Sequence, residues 1–284
     1  MKLGAVGVLT GWGAGLSALP ADARAAAGDR PVVELAAPAL VGERFRRATR
    51  ECRLGVAAVT ELLQRAGLAR DAIRGPDTGI LYATAGAYGA SNRAFIEAAA
   101  GSREGRGALH FPYTAPSAVP AEVAIEFGLT GPYITLIGGA TATLDALWQA
   151  ERLLAEAACR RVLVLAVETF AECAELYRRG RWLVERPLVE AAVCALMLSG
   201  EPPLTVRPAT RPEALERLAR QRAGETLACA PLIQMALAQE LGEDASDLTG
   251  VWRGRRTALT AWREAGPGRR TGEVVCAAVA PTAR

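Results

Sequence analysis

The chain has 284 residues, 51% of them hydrophobic and 22% charged, which is enough apolar material for one large α/β domain. Its 33 basic and 30 acidic residues leave a formal charge of +3, so composition gives no support for a nucleic-acid partner. Six scattered cysteines without a C-x-x-C pair, and a single histidine, argue against a metal site and favour buried free thiols in a reducing compartment.

The first predicted element is a buried strand at residues 3–9, followed by a glycine-rich turn. The stretch MKLGAVGVLTGWGAGLSALPADARAAAG resembles a secretory signal in part, with one lysine, an apolar run and small residues near a possible cleavage point. Its glycines and Trp12 interrupt the apolar run, however, and favour a strand. GWGAGL lacks the G-x-G-x-x-G spacing of a dinucleotide site. No other stretch approaches the roughly 20 uninterrupted apolar residues of a membrane span. We therefore expect a cytoplasmic protein without a membrane span.

Strands and helices alternate from there to about residue 200. Helices are predicted at 44–66, ended by Gly67; through Phe95 and Ile96, with Ser91 as N-cap; at 119–127, ended by Gly128; and at 140–157. Strands are predicted at 78–84, 133–137, 161–167 and 191–198, and a polar loop at 101–107. The strand RVLVLAV is apolar throughout, as in a sheet covered on both faces. This alternation predicts an α/β fold around a central, largely parallel sheet.

After residue 200 the alternation of predicted strands and helices is less regular. A strand is predicted at 204–207, helices at 212–222 and 225–241, and a last strand at 271–280, which contains GEVVCAAVA. No linker-like stretch divides the chain, so a single domain over residues 1–284 is expected, with an abbreviated second half at 201–284.

One long segment resembles a known family. FPYTAPSAVPAEVAIEFGLTGPYITLIGGATATLDALWQAERLL is similar to the centre of β-ketoacyl synthases of the thiolase fold, where a loop, a short helix, a G-P turn and a strand precede the nucleophilic cysteine at the start of a buried helix. Further segments agree in order: VGVLTGWGAG, RATRECRLGVAAVTELLQRAGL, TGILYATAGAYG, RVLVLAVETFAE and VEAAVCALMLSGEP. The resemblance implies a thiolase-like layered α/β/α/β/α fold with a shortened second half.

The same resemblance implies that the catalytic groups are missing. It puts Ala140 at the position of the nucleophilic cysteine and Glu225 at that of one catalytic histidine, in GETLACAPLIQMALA. The segment that carries the other histidine has no counterpart. Decarboxylative condensation needs a thiolate and groups that stabilise an enolate. The only histidine, His110, lies outside both motifs, so a two-histidine mechanism within this chain is excluded by count. No cofactor is implied.

Other residues offer weak substitutes. Thr141 follows Ala140 but has no base nearby in sequence, so a helix-capping role is expected. Glu225 has the chemistry of a general base, although a solvated or interface carboxylate is favoured. Cys229 lies one helical turn after Glu225, and a shared face would only raise the pKa of the thiol. His110 is expected to be a packed or interface loop residue. The arginine clusters at 178–181 and 253–256 are typical of solvated surface or of contact with an acidic carrier protein.

A degenerate ketosynthase is useful as a partner. The resemblance implies a dimer in which each subunit contributes to its neighbour's site, as with the chain-length factor of type II polyketide systems or short ketosynthase-like proteins of aryl-polyene-type pathways. We therefore expect a heterodimer with an active ketosynthase through strand 133–137, and only indirect contact with the acyl carrier protein. The residues predicted to face the partner or its acyl tunnel are Phe111, Tyr113, Thr114, Tyr133, Thr135, Ile137 and Thr141.

Two alternatives stay open at this point. One is an active acyltransferase or condensing enzyme with relocated catalytic residues. The other is a homodimeric protein that binds acyl chains. A covalently acylated chain would identify the first, and self-association without a ketosynthase partner would identify the second.

Overall fold

A computed structural model of the protein describes residues 2–46, 48–100, 110–170, 186–200, 204–242 and 245–262. The strands are β1 (Lys2–Thr10), β2 (Gly13–Ala14), β3 (Val32–Val33), β4 (Thr78–Thr84), β5 (Tyr133–Ile137), β6 (Arg161–Glu168), β7 (Leu188–Val189), β8 (Ala191–Leu198), β9 (Thr205–Pro208), β10 (Ala245–Trp252) and β11 (Arg255–Trp262). The helices are α1 (Ala23–Ala27), α2 (Arg50–Ala66), α3 (Gly89–Ala100), α4 (Ala118–Phe127), α5 (Ala140–Ala155), α6 (Ala214–Ala223) and α7 (Ala230–Leu241). The predicted loop at 101–107, the predicted strand at 271–280 and the arginine cluster at 178–181 lie outside the described residues.

The central sheet, within the described residues, has six strands in the order β2-β1-β8-β6-β4-β5. Strand β4 pairs in parallel with both β5 and β6. Strand β8 runs antiparallel to both of its neighbours, β1 and β6, so β1, β6, β4 and β5 share one direction. The largely parallel sheet was therefore predicted correctly except for β8 and the two-residue edge strand β2, which pairs antiparallel with β1. An apolar run has the same hydropathy in either direction, so its sequence does not reveal the orientation of a buried strand.

Both faces of this sheet are covered. In β6, Val162 and Val164 pack in the cluster that includes side chains of α5 and α7, whereas Leu163 and Leu165 pack in the cluster that includes α2 and α4. All four side chains are fully buried. A second, three-stranded antiparallel sheet, β10-β11-β9, packs beyond α5 and α7. The result is a layered α/β arrangement, as the thiolase-like resemblance implies.

The predicted helix ends are partly confirmed. Gly67 and Gly128 take the left-handed conformation that ends α2 and α4, as expected. The predicted start at residue 44 is wrong, because Glu43–Arg46 forms a separate 3₁₀ turn and α2 begins at Arg50 with Thr49 as its cap.

Two further helix boundaries differ from the prediction. Ser91 is not an N-cap, since α3 begins at Gly89 and Ser91 lies inside it, buried. Helix α5 ends at Ala155 rather than residue 157, because Ala157 has a positive φ of 52° that no longer continues a helix.

The second half contains a hairpin that the sequence analysis missed. Strands β10 and β11 pair in antiparallel register through the turn Arg253–Gly254, whose φ angles are 48° and 78°. Two consecutive positive φ values are typical of a type I′ hairpin turn, which is usually signalled by Asn-Gly or Asp-Gly. The Arg-Gly pair in this chain gives a weaker signal, and no strand was predicted there.

The four cysteines in the described part of the chain, Cys52, Cys159, Cys194 and Cys229, are buried and unbridged, as predicted. Burial raises the pKa of Cys52 to about 12. Thiols with raised pKa values remain protonated and unreactive at neutral pH. Among the described residues there is also no group of three potential metal ligands, and no helix has the length and apolar character needed to cross a bilayer.

Candidate functional site

The candidate site is the turn between β5 and α5. Strand β5 ends at Ile137, and α5 begins at Ala140 after Gly138 and Gly139. The N–H of Gly138 donates to the carbonyl of Thr84 at 2.9 Å, which holds the turn at the carboxyl ends of the parallel strands β4 and β5. A helix N-terminus in this place favours negative charge, as a thiolate would supply. Ala140, which is 6% exposed, presents only a methyl group there.

The hairpin of the second sheet packs directly against this turn. A Cβ added at Gly139 would overlap the Trp252 ring, and one added at Gly250 would lie 2.8 Å from the Cβ of Ala140. A Cβ at Gly138 would still reach within 3.8 Å of the Trp252 indole nitrogen. Glycine is therefore required for β10 to approach the helix start so closely. The space beside Ala140 is occupied by protein, namely the Gly250 backbone and the Trp252 ring.

Behind the turn lies a fully buried carboxylate, Glu168, at the end of β6. Its Oε1 accepts hydrogen bonds from the backbone N–H groups of Ala85 at 2.6 Å and Ala228 at 3.2 Å. Its Oε2 accepts from the N–H of Gly86 at 3.2 Å and from the Thr84 hydroxyl at 3.5 Å. Burial raises the pKa of Glu168 to about 8, although these hydrogen bonds oppose that shift.

Glu168 thus joins the ends of β4 and β6 to the 3₁₀ segment Leu227–Cys229. Glu168 was not predicted from the sequence as a site residue. The available signal was an acidic residue that closes an otherwise apolar strand, a position where burial of the side chain requires several hydrogen-bond donors.

The start of α5 is tied to the same 3₁₀ segment. The hydroxyl of Thr143 donates to the carbonyl of Ala228 at 2.5 Å. The neighbouring Cys229 is fully buried and its thiol contacts the carbonyl of Ala191 at 3.5 Å. Burial, followed by the nearby Glu168 carboxylate, raises the pKa of Cys229 well above its usual value. A buried thiol with a raised pKa stays protonated at neutral pH and is a poor nucleophile.

Glu225 makes a contact through each of its two carboxylate oxygens. One carboxylate oxygen lies 3.6 Å from the Arg220 guanidinium, and the other accepts from the N–H of Leu227 at 3.2 Å. The predicted helix at 225–241 is wrong at its start, because Glu225 forms a β-bridge with Leu188 and α7 begins only at Ala230. The expectation that Glu225 and Cys229 share a helix face is therefore wrong. The carboxylate is ion-paired rather than free to act as a base.

The predicted cap at Thr141 is also wrong. The N-cap of α5 is Gly139, and no side chain accepts a hydrogen bond there. Thr141 is the second residue of the helix and is half-buried. A capping side chain must come from the residue that precedes the helix, and that position holds a glycine.

The structure places the predicted partner-facing residues in two groups. Tyr133, Thr135 and Ile137 alternate along β5, the outer strand of the described sheet, with Tyr133 48% and Ile137 57% exposed. The Thr135 hydroxyl is buried without a hydrogen-bond partner.

The second group lies in and just after the 3₁₀ turn Phe111–Tyr113. Phe111 is 63% exposed, with its ring 5.9 Å from that of Phe95 on α3. Tyr113 and Thr114 are half-buried, and the Thr114 hydroxyl donates to the carbonyl of Phe111 at 2.8 Å. His110, exposed, precedes this turn and is far in sequence from the turn at Ala140.

Comparisons with known proteins agree with this geometry. Curated protein sequences give no match. Among solved structures, the fold is similar to the ishigamide ketosynthase/chain length factor, at 16% identity over 91% of this chain and 98% of that chain, with a TM-score of 0.66. It is also similar to AntDE:AntF, a type II polyketide synthase acyl-carrier protein in complex with its ketosynthase, at 14% identity over 91% and 98%, with a TM-score of 0.69.

A third similar structure is the ketosynthase ApeO in complex with its chain length factor ApeC from Xenorhabdus doucetiae, at 14% identity over 92% of this chain and 100% of that chain, with a TM-score of 0.60. At such low identities these structures show the fold. The family described as "Beta-ketoacyl synthase, N-terminal domain" matches residues 20–184, more than half of the sequence. The chain therefore belongs to the β-ketoacyl synthase family and has its thiolase-like fold.

Proposed function

We propose that this chain is a non-catalytic, chain-length-factor-like subunit. It would pair with an active β-ketoacyl synthase in type II polyketide, aryl polyene or fatty-acid-like biosynthesis, stabilising that enzyme and shaping its acyl tunnel. The observation that carries the proposal is the turn at Ala140, where a methyl group replaces a nucleophile and Gly250 and Trp252 fill the adjacent space. The named chain length factors among the similar structures support the same role.

The rest of the site gives no replacement chemistry in the described residues. Glu225 is held by Arg220, and Cys229 is buried with a raised pKa. Glu168 is fully buried and accepts three backbone N–H groups, so its role is to hold the strand ends together. A condensing reaction needs a thiolate and enolate-stabilising donors around one cavity, and these residues do not provide them.

The free edge of β5 supports a partner-dependent role. Within the described residues, β5 pairs only with β4, so its other edge presents unpaired backbone N–H and C=O groups beside the exposed Tyr133 and Ile137. An uncovered apolar edge strand invites pairing with another chain. An active ketosynthase would cover this edge, and acyl carrier protein would deliver substrate to that enzyme.

The experiment that tests this role is reconstitution with a ketosynthase, encoded beside this chain, that retains its cysteine and two histidines. The account predicts that the two chains co-purify as a heterodimer or heterotetramer and that extended product forms only when both are present. Product formation by the ketosynthase alone at the same rate and chain length would contradict it. A stable homodimer of this chain that ignores the ketosynthase would contradict it equally.

A further inference from the structure

A basic cleft lies between α1, α6 and the residues just before β7. Its volume is about 370 Å³, and it is lined by Asp22, Arg24, Arg186, Arg217, Arg220 and Gln221. This volume is near the lower end of the range for small-molecule sites, so the cleft suits a small ligand. The chain-length-factor-like role proposed above makes no use of this cleft.

Positive charge dominates the lining of the cleft, which has four guanidinium groups and one carboxylate, although Arg220 is also paired with two carboxylates outside that lining. The carboxylate of the lining is already engaged, because Oδ1 of Asp22 accepts from the N–H of Ala25 at 2.9 Å as the cap of α1. In the part of the chain that the structure describes, neither Arg24 nor Arg186 forms an ion pair, and both are exposed.

The other two arginines stand on one face of α6, three residues apart. Arg217 donates to the carbonyl of Pro212 at 2.6 Å. Arg220 pairs through Nη2 with Glu216 at 3.2 Å and with Glu225 at 3.6 Å. Its Nε is buried and has no hydrogen-bond acceptor. A buried donor without an acceptor is costly, and Arg220 belongs to the lining of the cleft.

We propose that this cleft binds a small phosphate-bearing anion, either free inorganic phosphate species or the phosphate group of an ester. Guanidinium groups form paired, charge-assisted hydrogen bonds with phosphate oxygens, and a ligand with two or more negative charges matches the four arginines of the lining. Arg24 and Arg186 supply uncompensated charge at the mouth, while Arg217 and Arg220 are held in place by α6. The proposal does not depend on the partner-subunit role.

Isothermal titration calorimetry on the full chain at low ionic strength tests the proposal, with inorganic pyrophosphate and glycerol 3-phosphate as probes. Saturable binding is expected, and it should weaken as salt is added. The double variant Arg24→Gln/Arg186→Gln should lower the affinity by about ten-fold or more, because it removes two charged donors. Both side chains are exposed, so the variant should fold normally.

The matched control is Arg74→Gln/Arg160→Gln, which removes two exposed arginines elsewhere and should bind like the unaltered chain. Binding of glycerol 3-phosphate would assign phosphate esters as ligands, and binding of pyrophosphate alone would assign free inorganic phosphates. Absence of saturable binding to the unaltered chain, or an equal loss in both double variants, would overturn the proposal.

Discussion

At the scale of single residues, the proposed non-catalytic role depends on how Ala140 packs against Gly250, beside the Trp252 ring. The Gly250 backbone rests against the Ala140 methyl group, and the indole covers Gly139. Returning a cysteine to position 140 would therefore not return a reactive site, because the thiol would face packed protein instead of a substrate channel. In the proposed account, the methyl group at position 140 and the packed space beside it oppose catalysis independently.

This packing predicts the reactivity of an introduced thiol. Ala140→Cys should be alkylated slowly by iodoacetamide, since reaction requires local opening of the hairpin. Combining it with Trp252→Ala should speed alkylation of Cys at 140 by about ten-fold or more, which corresponds to removing roughly 1.4 kcal/mol of opening free energy. Peptide mass mapping distinguishes this site from the native cysteines. Equal rates in the two variants would show that Trp252 does not protect the position.

Glu168 predicts a pH-dependent stability. A carboxyl group whose pKa is about 8 when folded and near 4.5 when unfolded binds its proton more tightly in the folded state. Its stabilising contribution is therefore complete below pH 4.5 and is lost as the pH rises toward 8, by on the order of 5 kcal/mol in total, of which about 3 kcal/mol falls between pH 5.5 and 8.5. Urea denaturation at pH 5.5, 7 and 8.5 measures this decline.

The variant Glu168→Gln removes the titrating group. It should lose most of the decline between pH 5.5 and 8.5, while its stability at pH 5.5 falls by about 1–2 kcal/mol because the N–H of Gly86 loses its acceptor. The variant Glu156→Gln, at the exposed residue that follows α5, is the control and should keep the slope of the unaltered chain. An unchanged slope in Glu168→Gln would contradict the assignment.

At the scale of secondary structure, the sequence predicted the elements with clear boundaries. Strands β4, β5 and β8 have the predicted limits, because each is an apolar run between turn residues. The hairpin β10–β11 was missed, since Arg253–Gly254 is an uncommon type I′ pair and the strands carry many polar residues. This miss matters, because the hairpin supplies Trp252 and Gly250. The contacts that fill the site come from residues more than a hundred positions away from Ala140 and leave no local pattern.

The free edge of β5 predicts a mutational effect on assembly. Ile137→Lys should weaken binding to the ketosynthase by about ten-fold or more, because the charge would be buried at the interface without a partner. Val206→Lys on β9, where the native side chain is 47% exposed, is the matched control and should bind normally. Analytical ultracentrifugation of mixtures measures both. If Ile137→Lys assembles as well as Val206→Lys, β5 is not the interface.

At the scale of the whole molecule, membership of the β-ketoacyl synthase family does not by itself determine what the chain does. The layers and the order of elements were predictable, because a family resemblance depends on the succession of strands and helices along residues 1–200. The reversed direction of β8 was not predictable, since hydropathy does not indicate strand direction. The hydrogen bonds of the buried Glu168 were not predictable either, since their donors belong to loops that are distant in sequence. The fold of a condensing enzyme is retained, and the account holds that its reactive groups are not.

The most direct measurement is the intact mass of this chain, alone and with its ketosynthase, after incubation with acyl groups carried on acyl carrier protein. The account predicts that the ketosynthase gains the mass of an acyl thioester while this chain gains none in either sample. An acyl adduct on this chain that disappears as extended product forms would contradict the central claim that its contribution is structural.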